Sequence, residues 1–193
     1  AALLEKLPDE GELVFLGDYI DRGWDSKGVI DLLIQLKQQR PCVFLRGNHE
    51  VMALAAAAGE EQLETVWRLD GGEETLGQYG GRITDNHLAF LRDSKLYYET
   101  ADYIFVHAGL SPGCTAAEIV TDDPWVLCWT RDPFLNATYD WGKRVIHGHT
   151  PTAPYFYPDE QPNRINIDTG AVFGGWLTAI LLPEMEYLCA SSE

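Results

Sequence analysis

Leu13-Val14-Phe15-Leu16-Gly17-Asp18-Tyr19-Ile20-Asp21-Arg22-Gly23 and, further on, Cys42-Val43-Phe44-Leu45-Arg46-Gly47-Asn48-His49-Glu50 decide how this chain is read. Each begins with a short apolar run that suits a buried strand and ends in a polar, glycine-bearing loop. Between them, Asp25 or Ser26 can cap a helix whose Val29, Ile30, Leu33 and Leu36 share one apolar face. The predicted unit is βαβ. Its right-handed crossover makes the strands parallel and sends both loops to the same carboxyl edge, where open α/β sheets bind ligands. Two carboxylates, an amide, an imidazole and an arginine are thereby expected at one edge.

That set suits phosphate-ester chemistry on metal ions. Carboxylate, amide oxygen and neutral imidazole are ligands for Mn, Fe or Zn, and a guanidinium forks onto phosphate oxygens. Taken singly, Asp18 and Asn48 read as turn residues capping the following helices, and His49 as an ordinary first-turn histidine; both loops together favour a site. Two further runs follow in order, Val106-His107-Ala108-Gly109-Leu110 and Ile146-His147-Gly148-His149-Thr150-Pro151.

These four motifs resemble the calcineurin-type metallophosphoesterases, and within them the phosphoprotein phosphatase family of serine/threonine phosphatases, bacterial type. The resemblance runs from about Glu12 to about Leu182 and takes in Asn166-Ile167-Asp168-Thr169-Gly170-Ala171. It implies an α/β fold, a two-sheet α/β/β/α sandwich with metals at one edge. By the same resemblance Asp18 bridges two divalent metal ions, manganese first with iron or zinc as alternatives, and Asn48, His107 and His149 complete the shell of the second. A hydroxide held by the ions would attack phosphorus in line. His49 would protonate the leaving oxygen and Asp21 would orient it, while Arg22 and Arg131 clamp the phosphoryl group. His147 is left as either a supporting group or a packed residue, and Arg46 and Glu50 as structural. Trp24 stands where relatives carry proline and is expected to line the substrate cleft.

In the resembled family a strand ending in a G-D-x-H-G loop precedes the first helix, and its Asp and His ligate the first ion. Neither occurs in this sequence, whose start, Ala1-Ala2-Leu3-Leu4-Glu5-Lys6-Leu7, reads as the last turns of an amphipathic helix. The expectation is a single domain over residues 1–193 without its first strand and loop, holding the first ion weakly; natural divergence is the alternative.

The chain carries a net charge of −16, which argues against nucleic acid as a partner and makes any phosphate site depend on bound cations and a few arginines. A phosphoprotein or small phosphoester is the expected partner. No run approaches the ~18 apolar residues of a membrane span, and four cysteines without C-x-x-C pairing suit a reducing, cytoplasmic setting. The sequence carries no signal for an oligomeric state. Three functions compete. The phosphoprotein phosphatase is preferred, a hydrolase of dinucleoside polyphosphates shares its motifs, and a catalytically impaired relic would keep the fold alone.

Elsewhere the expectations are structural. Glu61 to Gln78 reads as helix, hinge at Gly71-Gly72, helix. His87 is taken as a solvated or capping histidine. Leu96–Thr100 and Tyr103–Val106 form a hairpin, and Trp125, Trp129 and Trp141 pack in core and rim.

Overall fold

A computed structural model describes residues 2–191. They divide into two compact units, one spanning Glu12–Leu96 and the other drawn from Ala1–Gly11 and Tyr97–Glu193. The fold class is mixed α/β, as the sequence suggests.

In the Glu12–Leu96 unit, β1 (Leu13–Phe15) and β2 (Cys42–Phe44) pair in parallel, Leu13 against Cys42 and Phe15 against Phe44, across helix α1 (Ser26–Gln39). Asp25 caps α1 by accepting from the Gly28 amide at 2.8 Å, and Pro41 follows its end. The helix buries Ile30 and Leu33, whereas Val29 faces solvent, so the buried stripe is narrower than the sequence implied. Phe15 stacks on Phe44 with ring centres 5.1 Å apart, and Tyr19 meets Phe44 and Phe90 edge-on.

Helix α2 (Asn48–Ala57) begins inside the second loop, so Asn48 and His49 lie in its first turn. α3 (Glu61–Trp67) and α4 (Glu73–Gln78) are joined by a wide turn over Arg68–Gly72, kinked at Asp70 and at Gly71, whose φ is 112°. A Cβ on Gly72 would sit 2.6 Å from the Trp67 ring, and one on Gly71 3.0 Å from the Arg22 amide nitrogen, so the paired glycines exist for close approach. α5 (Asp85–Arg92) closes the unit. It carries His87, which departs from the solvated or capping role expected of it. His87 is buried, with Nδ1 2.7 Å from the Tyr79 hydroxyl and Nε2 3.0 Å from Asp31 on α1, because the helix turns it inward to join two elements.

The second unit holds a five-stranded sheet of β3 (Tyr97–Glu99), β4 (Tyr103–Val106), β5 (Arg144–His147), β6 (Asp159–Glu160) and β7 (Arg164–Asn166), in the order β3-β4-β5-β7-β6. β4, β5 and β7 run parallel; the two outer strands are antiparallel to their neighbours. β8 (Trp176–Leu181) and β9 (Glu186–Ser191) make a separate antiparallel ribbon. α6 (Ala116–Asp122) starts with a Thr115–Glu118 capping box, and α7 (Val126–Trp129) is a single turn. The N-terminal helical expectation reduces to one 3-10 turn over Leu4–Lys6. All four cysteines are free thiols. No helix among the described residues is long and apolar enough to cross a membrane.

Val106, Leu110, Leu127, Phe134, Val145, Ile146 and Ile165 form this unit's interior. Trp141 lies against Phe134, and Trp125 against Trp129. Phe134 also presses on Gly109, where an added Cβ would come within 2.2 Å of its ring. Gly109→Ala is therefore expected to destabilise the protein by about 1–3 kcal/mol through overpacking. Thermal unfolding checks this, and an unchanged Tm would contradict the packing described.

Candidate functional site

In the Glu12–Leu96 unit the two loops leave parallel strands at one edge and are tied together by a single side chain. Glu50, fully buried in the first turn of α2, accepts from the amides of Asp18 and Gly47 at 2.8 Å each and of Tyr19 at 2.7 Å. Burial and then the Asp18 charge push its carboxyl up to about 7, against the pull of those three amides. The Tyr19 hydroxyl adds a bond to the Leu45 carbonyl at 2.6 Å. Arg46 braces the second loop from outside by donating to the Arg92 and Ser94 carbonyls and the Ser94 hydroxyl. Inside the loops, the His49 amide faces the Asp18 carboxylate at 3.3 Å, and Asn48 is buried beside it.

Asp21 and His49 form a buried pair, Nδ1 to Oδ2 at 2.6 Å. The carboxylate is held by more than its histidine. Trp67 Nε1 donates to Oδ2 at 2.8 Å and the Thr75 hydroxyl to Oδ1 at 2.6 Å, while the Asp21 amide reaches Ser26 Oγ and Thr75 Oγ1. Burial alone would lower the His49 pKa; the Asp21 hydrogen bond and the Asp18 and Asp21 charges outweigh it and raise it. The other ring nitrogen, Nε2, points toward Asp70 at 3.9 Å, and Asp70 also binds Arg22 at 2.5 Å. Sequence reasoning missed Trp67, Asp70 and Thr75. Their only local mark is the Gly71-Gly72 pair between them, since the contacts they make span tens of residues.

The second unit repeats the parallel-strand logic. β4 and β5 run side by side, with Phe105 opposite Ile146, so His107 and His149 follow adjacent strand ends. The Gly148 amide continues the ladder by donating to the His107 carbonyl at 2.8 Å. His107 Nε2 and His149 Nδ1 come within 3.2 Å. Two imidazole nitrogens this close can share one proton or turn both lone pairs to one cation, and the second option is the donor set a divalent transition ion takes. The residues present thus fit such an ion.

His147 resolves as the packed alternative. It is fully buried, edge-on to Phe134 at 4.9 Å, and burial pushes its pKa down to about 3, so it stays neutral. Arg131 is exposed, in the loop after α7.

Backbone strain marks the same residues. Among the described residues, the non-glycines with positive φ are Asp18, Asp21, Arg22, His149, Phe156 and Met185. Four of those six are candidates named from sequence. A left-handed non-glycine costs on the order of 1–3 kcal/mol and persists where its surroundings dictate it. The buried Thr75 hydroxyl is one such constraint. Thr75→Val, equal in shape, leaves both the carboxylate and the amide of Asp21 short of a partner and is expected to cost about 1–3 kcal/mol. In urea this lowers the midpoint at constant slope; an unmoved midpoint would mean the hydroxyl is dispensable.

Residues 1–175 match the calcineurin-like phosphoesterase family. A bis(5'-nucleosyl)-tetraphosphatase PrpE of Anoxybacillus flavithermus is 30% identical over 96% of this chain and 81% of its own length. Serine/threonine-protein phosphatase 1 of Salmonella typhimurium is 32% identical over 89% and 78%. Among solved structures, a putative diadenosine tetraphosphatase superposes with a TM-score of 0.69 at 21% identity, covering 98% of this chain and 84% of that one. A metallophosphoesterase from Sphaerobacter thermophilus gives 0.54 at 14% identity, covering 97% and 80%. With its α/β fold, its four motifs in order and a match over most of its length, the chain belongs to the calcineurin-like phosphoesterase family of hydrolases.

Proposed function

We propose that this chain, as one metallophosphoesterase domain, hydrolyses phosphate monoesters on serine and threonine side chains of proteins. The observation that carries the reading is the buried Asp21–His49 pair with Nε2 turned to the side where Arg22 and Asp70 meet. A serine or threonine alkoxide is a poor leaving group and needs a proton as the bond to phosphorus breaks. A polyphosphate or a nitrophenolate leaves without that help, so so well-seated an acid has most to do on an alkyl ester.

In this reading Asp18 and Asn48, and likewise His107 and His149, are ligands for divalent ions, two per chain, with manganese the first choice. Those ions, when bound, supply acidified water and Lewis-acid polarisation of the phosphoryl oxygens. Arg22, released from Asp70 by the substrate, forks onto the phosphoryl oxygens, where charge grows in the transition state; Arg131 takes a phosphoryl-binding role by family resemblance. Asp21 holds the proton on His49 Nδ1, which leaves Nε2 to deliver the other to the leaving oxygen.

The second reading, hydrolysis of dinucleoside tetraphosphates, is supported by the relatives that carry that activity in their names. Turnover of the Mn²⁺-loaded protein on a phosphoserine peptide, p-nitrophenyl phosphate and diadenosine tetraphosphate separates the two. The phosphopeptide is expected to be the best of the two natural classes. His49→Asn is expected to lower kcat on it about 10²–10⁴-fold, with a much smaller loss on p-nitrophenyl phosphate. Faster cleavage of the dinucleotide, or equal losses on both esters, would contradict the proposal.

A further inference from the structure

Arg22 lines a cavity of about 520 Å³ within the Glu12–Leu96 unit, shared with Gly23, Trp24, Glu74, Gly77 and Gln78. Trp24 is 99% exposed, and no ring among the described residues lies against it. An indole wholly in water is unusual for a side chain that normally buries most of its surface. The loop that displays it is nonetheless fixed. Gln78 donates to the Gly23 carbonyl and accepts from the Lys27 amide, and Ser26 takes the Asp21 amide. The tryptophan is held out by a pinned backbone, with its rings bare.

Two residues bring charge to this cavity, Arg22 and Glu74, and they differ in pairing. The Arg22 guanidinium is engaged by Asp70, and Glu73, the neighbour of Glu74, is engaged by Arg68. The Glu74 carboxylate is exposed and makes no ion pair or hydrogen bond with any described residue. Gly77 presents no side chain, and a Cβ there would meet nothing within 4 Å, so the wall between Trp24 and Glu74 is open. An open indole face beside an unpaired carboxylate is complementary to an organic cation, by cation–π attraction on one side and charge on the other. The net charge of −16 biases the site the same way.

We propose that Trp24 and Glu74 form a subsite for a guanidinium or ammonium group on the substrate, so that phosphorylated residues with a basic neighbour are selected at Arg22. This rests on the phosphoprotein reading for the identity of the substrate, and its test is built to fail separately. Binding is measured by fluorescence anisotropy on labelled phosphoserine peptides flanked by arginine or by citrulline, which keeps the shape and removes the charge. No turnover is needed.

The arginine peptide is expected to bind about five- to twentyfold more tightly. That ratio is expected to collapse to about twofold or less in Trp24→Ala and Glu74→Gln, and to survive largely in Trp24→Phe. An equal ratio in parent and variants would overturn the subsite. So would Trp24→Ala weakening labelled diadenosine tetraphosphate more than the arginine peptide, since the platform would then serve a nucleobase. Peptides that bind with the expected ratio yet are never hydrolysed would instead defeat the phosphoprotein reading and leave the subsite standing.

Discussion

The Glu50 carboxylate is the constraint on which the candidate site of the Glu12–Leu96 unit depends. Its two oxygens take amide protons from Asp18, Tyr19 and Gly47, so one buried group fixes the end of one loop to the start of the other. Asp18 and Tyr19 lie outside any strand or helix and Gly47 is the N-cap of α2, so none of these amides has a ladder or helix partner, and a buried amide without one is costly. The dense bonding explains how Asp18, Asp21 and Arg22 keep left-handed backbones that would relax in an isolated peptide. Strain held this way also pre-orders the side chains, which is what positioning for catalysis requires.

Around that tie, α3, α4 and the turn between them serve one further task. The turn over Arg68–Gly72 bends so that Trp67 and Thr75, on either side of it, reach the same carboxylate from different directions. Asp21 therefore cannot swing away from His49 without abandoning two more hydrogen bonds. Asp70, at the kink, occupies the Arg22 guanidinium and lies near His49 Nε2. A substrate phosphate is the natural competitor for both partners of Asp70, and displacing an exposed carboxylate from Arg22 costs little.

The placement of the candidate residues was legible in the sequence because they sit at the ends of short apolar strands, where periodicity and loop composition speak directly. Asp18, Asn48, His107 and His149 all follow such strands. What was not legible depends on contacts far apart in the chain. Trp67 and Thr75 reach Asp21 across 46 and 54 residues, and no local pattern encodes that. His87 shows the same limit, since burial against Asp31 is a property of how α5 packs on α1. His147 and His149 could not be told apart by spacing; packing against Phe134 separates them.

On the proposed reading the buried Asp21–His49 pair delivers a proton to the leaving oxygen. The most direct measurement is kcat of the Mn²⁺-loaded protein on a phosphoserine peptide in a double-mutant cycle of Asp21→Asn and His49→Asn. If the two act as one device, the double variant is expected to lose far less than the sum of the two single losses, because either change already breaks the pair. Losses that add in full would mean that the two residues act separately, and would contradict the account.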